Sequence, residues 1–188
     1  MELNKINEEI KNCELCSLCE TRNNTVPGYG KKDANILFIG EAPGFNEDKQ
    51  GKPFVGRAGK ILDRLLEHIG LNREDVFITN IVKCRPPNNR DPTTEEIRIC
   101  TPHLDKQIEV IKPKVIVALG RHSMKYIFNK FNIDERGTIS QIHGKEYRIS
   151  TLFGDKTIIP LFHPAVATYS PTKIDVLKKD FETLKKFV

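Results

Sequence analysis

The segment NILFIGEAPG, residues 35–44, carries the clearest signal of the fold. Its first half, Asn35 to Ile39, is a nearly continuous apolar run of the kind found in strands buried on both faces of a sheet. Its second half, Gly40 to Gly44, is a turn rich in glycine and proline. In open α/β sheets, ligands bind beyond the carboxyl ends of the strands. The stretch therefore predicts a buried strand that runs into a candidate binding loop.

Two further apolar runs of the same kind extend from Val76 to Asn80 and from Lys114 to Leu119. Both are short and rich in β-branched or aromatic residues, so we interpret each as a parallel strand. Between the runs, apolar residues recur with the spacing of one helix face. The first set is Ile61, Leu62, Leu65, Leu66 and Ile69, and the second is Ile97, Cys100, Leu104, Ile108 and Ile111. This alternation predicts one compact α/β domain.

Local signals mark the boundaries of several elements. Thr93, with Glu96 three residues later, predicts a capping box at the start of the second helix. Two runs, Tyr147–Leu152 and Thr157–Phe162, predict a hairpin whose second arm joins the sheet. Ser170, which precedes a proline, is expected to cap a final amphipathic helix.

Three polar motifs follow predicted strands. They are the Gly40–Gly44 turn, Asn80 at the end of the second strand, and His163 with Pro164 after the second arm of the hairpin. Because the carboxyl ends of parallel strands meet at one edge of a sheet, we expect these motifs to converge there. The simpler interpretation is that each glycine or proline only forms a turn. Three motifs together favour a site.

Length and composition restrict the possible classes of protein. The chain has 188 residues, a formal net charge of +5 and a sequence pI near 8.9. This length predicts a single domain over residues 1–188. Because no apolar run suits a membrane span or a signal peptide, we expect a soluble protein of the reducing cytoplasm without a membrane partner. We also expect it to be a monomer. The mild positive charge would tolerate a polyanion, and Lys83, Arg85 and Arg90 form one of the basic groups.

Five cysteines are present, and an odd number in a reducing compartment favours ligation over disulfides. Cys13 and Cys16 are followed far downstream by Cys84 and Cys100, which supplies four thiols for a metal or iron-sulfur site. Cys19 completes a C-x2-C-x2-C run, but the continuation found in bacterial ferredoxins is missing, so we interpret Cys19 as a spare thiol. Zinc would accept the same four thiolates. Cys100 could also be a buried apolar residue of its helix.

Together these motifs resemble the family 4 uracil-DNA glycosylases. The resemblance is carried by Gly40-Glu41-Ala42-Pro43-Gly44, Glu47-Asp48, Gly51 to Gly56, Ala58-Gly59, Asn80, Cys84 to Pro87 and His163-Pro164-Ala165. It implies a three-layer α/β sandwich with a short, mostly parallel central sheet flanked by helices. It also implies a structural 4Fe-4S cluster on Cys13, Cys16, Cys84 and Cys100, with zinc as the alternative. The implied activity is that of a monofunctional glycosylase that releases free uracil from uracil-containing DNA in base excision repair.

The chemistry of individual residues indicates how uracil would be bound. An extruded base needs a ring to stack on, and Phe54 is the candidate unless it is an ordinary core residue. The amide of Asn80 matches the O4 and N3–H of uracil and mismatches cytosine, unless Asn80 only ends its strand. By resemblance, Glu47 lies against C5 and excludes thymine. The predicted substrate-binding residues are Gly40, Glu41, Ala42, Gly44, Glu47, Phe54, Asn80 and His163.

The predicted catalytic residues are Glu41, Asp48 and His163. Bond cleavage leaves negative charge on the uracil and positive character on the sugar. His163 is therefore expected to donate near O2, and the amides of the Gly40–Gly44 loop add dipoles. Either Glu41 or Asp48 would orient a water or stabilise the sugar cation. The choice stays open because Ala42 stands where better-known uracil glycosylases carry an aspartate.

The loop after His163 is expected to face the DNA. Val166 or Tyr169 in this loop could fill the gap left by an extruded base. The histidines outside this motif are interpreted as surface or core residues: His68, His103, His122 and His143.

Two rival functions are compatible with the same sequence. One is a catalytically silent nucleic-acid-binding module in which the thiol site only stabilises a basic face. The second is a small-molecule α/β enzyme that binds phosphate at the glycine-rich turn, although no Walker lysine pattern or G-x-G-x-x-G follows a strand.

Overall fold

The computed structural model describes residues 2–152 and 154–188, so Met1 and Phe153 of the predicted domain lie outside the described residues. The strands are β1 (Tyr29–Gly30), β2 (Ile36–Gly40), β3 (Phe77–Asn80), β4 (Val115–Leu119), β5 (Tyr147–Thr151) and β6 (Gly154–Leu161). The α-helices are α1 (Leu3–Lys11), α2 (Phe45–Gln50), α3 (Arg57–His68), α4 (Thr94–Ile111), α5 (Arg121–Lys130), α6 (Ile139–Ile142), α7 (Val166–Tyr169) and α8 (Lys173–Glu182). Short 3-10 helices lie at Ser17–Glu20, Pro87–Asn89 and Lys185–Phe187. Among the described residues, no helix has the length and hydropathy needed to cross a membrane.

The strands form one mixed sheet in the order β1-β3-β2-β4-β6-β5. The central pairings β3–β2, β2–β4 and β4–β6 are parallel, whereas the edge pairings β1–β3 and β5–β6 are antiparallel. The three predicted parallel strands are confirmed, and each begins one residue later than predicted. Gly40 and Asn80 are register partners at the ends of β2 and β3. Two of the predicted motifs therefore begin at the same edge of the sheet.

The predicted hairpin is confirmed as β5 and β6, and β6 pairs with β4 inside the sheet. Its second arm begins at Gly154 rather than Thr157. Strand β1 has no counterpart in the sequence analysis because two residues show no periodicity. A Cβ on Gly30 would lie 1.9 Å from the carbonyl oxygen of Val76, and φ there is +126°. Only glycine allows this close approach of two backbones.

Side chains of the central strands alternate between two apolar cores. Ile36 and Phe38 belong to one core, together with residues of α3 and α8. Leu37 and Ile39 belong to the other core, together with residues of α4 and α5. Every residue of β2 and β4 is buried, as expected for strands covered on both faces.

The capping box predicted for α4 is confirmed. The Glu96 amide donates to Thr93 Oγ1 at 3.2 Å, and the Thr93 amide donates to the Glu96 carboxylate at 2.7 Å. Arg90 also binds Glu96 through two nitrogens, at 2.6 and 2.9 Å, and lowers the pKa of Glu96 to about 2. The cap predicted at Ser170 was wrong. Its backbone is extended and accepts a turn hydrogen bond from Lys173, so α8 begins only at Lys173.

Candidate functional site

Asn80 and Phe54 meet over Gly40 at the carboxyl edge of the sheet. A Cβ on Gly40 would lie 2.4 Å from Asn80 Oδ1 and 2.7 Å from the Phe54 ring. Such distances are far below van der Waals contact, so the absence of a side chain at residue 40 is what lets the amide and the ring come together. Asn80 is 2% exposed and Phe54 is 5% exposed.

The backbone of Phe54 is held in a strained conformation. Its φ of 52° lies in the left-handed region, which is uncommon for a bulky residue. Arg73 fixes this turn because its guanidinium donates to the Pro53 carbonyl at 2.9 Å and to the Phe54 carbonyl. A Cβ on Gly59 would overlap the Phe54 carbonyl, so α3 packs tightly beneath the turn. Strain of about 1–3 kcal/mol persists only where the surroundings enforce it, which is common at functional sites.

His163 lies next to Phe54 and carries a neutral imidazole ring. Its ring stacks on Phe54, with centroids 5.4 Å apart and planes 26° apart. Burial lowers the pKa of His163 to about 4, so the ring is uncharged at neutral pH. The Ala165 amide donates to Nδ1 at 3.2 Å. Because Nδ1 accepts, the single proton of the neutral ring lies on Nε2, which makes that nitrogen a hydrogen-bond donor.

A buried lysine fixes the backbone of Asn80. Lys83 is 1% exposed, and its ammonium donates to Thr79 Oγ1 at 2.6 Å, to the Asn80 carbonyl at 2.8 Å and to Gln107 Oε1 at 2.8 Å. Burial lowers the pKa of Lys83 to about 7. Sequence reasoning grouped Lys83 with two basic neighbours, which was wrong. The apolar residues directly before it were the available signal that it is internal.

Glu47 ties the Gly44 turn to the loop that carries Phe54. Its Oε1 accepts from the amides of Val55 and Gly56 at 2.8 Å each, and its Oε2 accepts from the Gly44 amide at 3.2 Å. The Gly44 amide is therefore engaged within the protein. The charge of Glu47 also lies close enough to His163 to raise its pKa slightly against the larger effect of burial.

Asp48 is fully buried and binds a different part of the chain. Its carboxylate accepts from the backbone amides of Asn23 and Asn24, at 2.9 and 3.3 Å, and from the side-chain amide of Asn23. Both oxygens are thereby used in structural hydrogen bonds. The contacts of Asp48 thus differ from those of Asn80, Phe54 and His163, with which the sequence analysis had grouped it.

Glu41 follows Gly40 directly and remains accessible, because its side chain is 28% exposed. Its carboxylate lies 3.8 Å from His122 Nε2, and Asp91 lies 3.1 Å from the same nitrogen. Burial raises the pKa of Glu41. Sequence reasoning placed His122 among surface or core residues, because nothing local marks it as a neighbour of Glu41. Ala42, next to Glu41, is half-buried.

Four of the five cysteines line one cavity, and these are Cys13, Cys16, Cys84 and Cys100. Cys19 is not among the residues that line it. Arg22 donates to the Cys13 carbonyl at 2.7 Å and to Cys84 Sγ at 3.4 Å, while the Lys83 amide donates to Cys100 Sγ at 3.2 Å. The end of α1, the loop after β3 and the first half of α4 therefore meet at these thiols.

Two observations bear on the kind of group that the four thiols could hold. His103 lines the thiol cavity, and both of its ring nitrogens are buried without a partner, so this wall offers a donor that needs an acceptor. A tetrahedral zinc holds sulfurs at about 2.3 Å, and hence about 3.8 Å from one another. Within residues 2–152 and 154–188, the one group with three candidate ligand atoms inside 4.8 Å is Glu41, Asp91 and His122. The cysteine sulfurs are therefore spread more widely than zinc requires.

Two exposed aromatic side chains follow the Gly44 turn and His163 closely in the sequence. Phe45, 57% exposed, begins α2 directly after the Gly44 turn, and the guanidinium of Arg85 lies 5.2 Å from its ring centre. Tyr169, 86% exposed, ends α7 shortly after His163. Val166, in contrast, packs against the apolar core. The loop after His163 thus offers Tyr169 as its free aromatic side chain.

Comparison with known proteins identifies the family. Residues 27–187 match the family model of the uracil DNA glycosylase superfamily. The type-4 uracil-DNA glycosylase of Saccharolobus solfataricus is 52% identical over 186 residues, which cover 98% of this chain and 85% of the relative. Those of Sulfurisphaera tokodaii and Archaeoglobus fulgidus are 50% and 48% identical, covering 98% and 97% of this chain and 84% and 91% of the relatives. The chain therefore belongs to the uracil DNA glycosylase superfamily, alongside these type-4 enzymes.

Proposed function

We propose that this protein is a monofunctional uracil-DNA glycosylase that hydrolyses the N-glycosidic bond of extruded uracil and leaves an abasic site for base excision repair. The observation that carries the proposal is the neutral His163, whose free proton lies on Nε2 beside Phe54. A neutral imidazole can stabilise an anionic leaving group by donating a hydrogen bond to it while the ring keeps its proton. Membership of the superfamily supports the same activity.

In this proposal, Phe54 receives the face of the uracil and Asn80 binds its edge. Extruding a base costs roughly a few kcal/mol, and stacking on an aromatic ring returns about 1–3 kcal/mol. The strained turn fixed by Arg73 keeps the Phe54 ring in place before the base arrives. Lys83 does the same for the backbone of Asn80. A preorganised pocket loses less entropy on binding, which supports tight recognition of one base.

We assign Glu47 to the exclusion of thymine. Its carboxylate is held by three backbone amides, so it would move little to make room for a methyl group at C5. A methyl group is also an unfavourable neighbour for a carboxylate, because it cannot replace the hydrogen bonds of the water that it displaces. The Gly40–Gly44 loop would contribute dipoles through amides other than that of Gly44.

For the hydrolytic step we assign Glu41 as the carboxylate that orients the attacking water and stabilises positive charge on the sugar. Glu41 is accessible and adjoins Gly40, whereas both oxygens of Asp48 bind residues 23 and 24. Asp48 is therefore proposed to position the 23–24 segment against α2. His163 then donates from Nε2 to O2 as negative charge develops on the departing uracil.

We propose that Cys13, Cys16, Cys84 and Cys100 hold a 4Fe-4S cluster. When bound, the cluster would cross-link the N-terminal segment to α4. Hydrolysis of a glycosidic bond transfers no electrons, so the proposed role is structural. The spread of the sulfurs supports a cluster rather than zinc, and the unpaired His103 could donate to a sulfur of either group.

The remaining proposals concern the form in which the protein works. We propose one domain over residues 1–188, acting as a monomer in a reducing cytoplasm, which suits ligation by free thiols. Two apolar cores on opposite faces of the sheet support a three-layer arrangement, and the parallel central pairings support a mostly parallel sheet. On the DNA side, we assign Tyr169 as the wedge because Val166 packs into the core.

The test is release of free base from oligonucleotides that carry U, T, C or hypoxanthine at one position. Release of uracil, with thymine and cytosine retained, is expected. Asn80→Ala and His163→Ala should lose this release while they keep the visible absorption of the cluster and bind DNA. If wild-type protein with an intact cluster binds DNA but releases no uracil, the catalytically silent binding module is correct instead.

A further inference from the structure

Three polar side chains surround the Glu41 carboxylate, and the proposed function uses none of them. Asp91 lies in the loop between β3 and α4, whereas Arg121 and His122 open α5 directly after β4. Elements that are distant in the sequence therefore meet beside Glu41.

Short distances join these side chains into one network. His122 Nε2 lies 3.1 Å from Asp91 Oδ2 and 3.8 Å from Glu41 Oε2. Arg121 Nη2 donates to the same Asp91 oxygen at 2.7 Å, and Arg121 Nε donates to His122 Nε2 at 2.9 Å. His122 Nε2 can donate to Asp91 Oδ2 when it carries a proton, and it can accept from Arg121 Nε when it does not. When Nε2 carries this proton, Arg121 keeps its hydrogen bond to Asp91 and no longer donates to His122.

The position of Asp91 is fixed by its neighbours. Arg90 binds the Glu96 carboxylate that caps α4, and Arg90 Nη1 also donates to the Asp91 carbonyl at 3.0 Å. The loop that carries Asp91 is thereby tied to the start of α4. Asp91 can therefore hold His122 in a defined place.

We propose that His122 and Asp91 are positioning residues for Glu41: His122 holds the carboxylate and favours its charged form, and Asp91 holds His122 while opposing that charge. The inference rests on the proposed function, in which Glu41 orients the attacking water. A carboxylate attracts a water proton only while it is ionised. Groups that shift its ionisation therefore set the acid limb of the pH–rate profile.

The charges around Glu41 act in opposite directions. Burial raises the pKa of Glu41, His122 lowers it, Asp91 raises it and Arg121 lowers it. From the hairpin side, His163 is neutral, and on the Gly44 side the charge of Glu47 is hydrogen-bonded to backbone amides. His122 and Asp91 should therefore shift the pH profile in opposite senses, which a general loss of structure would not do.

The ligand atoms of Glu41, Asp91 and His122 lie within 4.8 Å of one another, a spacing that also suits a divalent cation. Arg121 argues against a cation because its guanidinium binds the Asp91 oxygen that the metal would need. A chelator separates these two explanations.

The experiment is single-turnover excision from a uracil-containing oligonucleotide between about pH 5 and 9. His122→Asn should move the midpoint of the acid limb up by about half a unit or more, because it removes a nearby positive charge. Asp91→Asn should move the midpoint down by a similar amount, because it removes a like charge. His122→Gln retains a donor near the position of Nε2, so its plateau rate should be that of the wild type. The midpoint of its acid limb should still be shifted upward, because glutamine carries no charge.

His68→Asn is the matched control, since His68 also binds a carboxylate, that of Glu182 at 3.1 Å, but lies outside this network. Its profile should superimpose on that of the wild type. The inference is overturned if His122→Asn and Asp91→Asn shift the limb in the same direction or not at all. It is also overturned if EDTA abolishes wild-type activity and a divalent cation restores it. A Glu41→Gln variant that keeps the wild-type acid limb overturns this inference and the assignment of Glu41 as the water-orienting carboxylate, whereas wild-type protein that releases no uracil overturns the proposed function as a whole.

Discussion

Asn80 is the side chain to which we assign recognition of the base. It is almost fully buried, so a mispaired base would leave polar groups unsatisfied at about 1–3 kcal/mol each. Asn80→Asp replaces the amide donor with a second acceptor, which repels O4 of uracil and accepts from the amino group of cytosine. We expect uracil release to fall by at least about 100-fold and cytosine release to become measurable. Rates on matched oligonucleotides with U or C check this prediction.

Asn80→Ala is the control for that prediction because it removes both the donor and the acceptor. It should lose uracil release without gaining activity on cytosine. If the alanine variant releases cytosine, or if Asn80→Asp keeps the wild-type preference, the amide does not read the base.

The neutral His163 predicts a pH dependence of stability with a definite sign. Its pKa is about 4 in the folded chain and about 6.5 in an unfolded one. Between these values the unfolded chain binds a proton that the folded chain does not, so stability falls as the pH is lowered through this window. From pH 7.5 to pH 5, this residue should remove about 2 kcal/mol of unfolding free energy.

His163→Gln cannot take up this proton, so its loss of stability over the same interval should be smaller than that of the wild type by about 2 kcal/mol. Urea unfolding at both pH values measures the difference, and acid effects on other groups cancel in it. His68→Gln, a half-exposed histidine, should behave like the wild type. Equal losses in the wild type and His163→Gln would show that the pKa of His163 is the same in the folded and the unfolded chain.

Some site residues could be predicted from the sequence because topology alone brings them together. Gly40 and Asn80 end strands and His163 follows one, and parallel strands end at one edge. His122 could not be predicted, because its partner Asp91 is 31 positions away and a histidine at a helix start has no distinctive pattern. Lys83 was misassigned because burial of a lysine depends on partners supplied by other elements, such as Gln107 of α4.

At the scale of elements, the loop between α2 and α3 depends on one arginine. Arg73 binds Asp63 of α3 and the carbonyls of Pro53 and Phe54, which fixes the left-handed backbone under the Phe54 ring. Arg73→Lys keeps the charge but cannot reach these acceptors together. Loss of one charge-assisted hydrogen bond costs about 1.5–3 kcal/mol, so we expect kcat/KM for uracil release to fall roughly 10- to 100-fold.

Arg98→Lys is the matched control, since Arg98 pairs with Glu95 on an exposed surface of α4. It should leave the rate unchanged, because exposed ion pairs contribute little. A rate for Arg73→Lys equal to that of Arg98→Lys would mean that the turn keeps its shape without the guanidinium. Melting curves of both variants show whether a loss of rate reflects the turn or the whole fold.

Elements with a strong repeating pattern were predicted well, and those without one were missed. The three central strands and α4 have continuous apolar runs or a clear helical period, and the hairpin arms flank a turn. Strand β1 is two residues long and depends on Gly30 meeting the Val76 carbonyl, a long-range contact that no local pattern encodes. The start of α8 was misjudged because Ser170 forms a turn, which a serine favours as readily as a helix cap.

At the scale of the whole molecule, the four cysteines connect parts of the chain that the sheet leaves separate. Cys13 and Cys16 follow α1, Cys84 follows β3, and Cys100 lies in α4. Their spacing predicted a shared site, but only the fold brings Arg22 and His103 to the same cavity. Residue 83 joins this site to Asn80, because its amide binds Cys100 and its ammonium binds the Asn80 carbonyl. Loss of the cluster should therefore also disturb Asn80, to which we assign base recognition.

Cys100→Ser tests this connection, with Cys19→Ser as the matched control because Cys19 does not line the cavity. Cys100→Ser should lose the broad visible absorption of the cluster and melt about 10 °C lower, equivalent to roughly 3 kcal/mol for a chain of this size. Uracil release should fall with it, since the Lys83 segment loses its anchor beside Asn80. Oxidative removal of the cluster from wild-type protein should reproduce these changes, while Cys19→Ser keeps colour, melting temperature and rate. A colourless Cys19→Ser, or a Cys100→Ser with wild-type colour, would mean that the ligand set is different. A colourless wild-type protein loaded with zinc would mean that the four thiols hold a single ion.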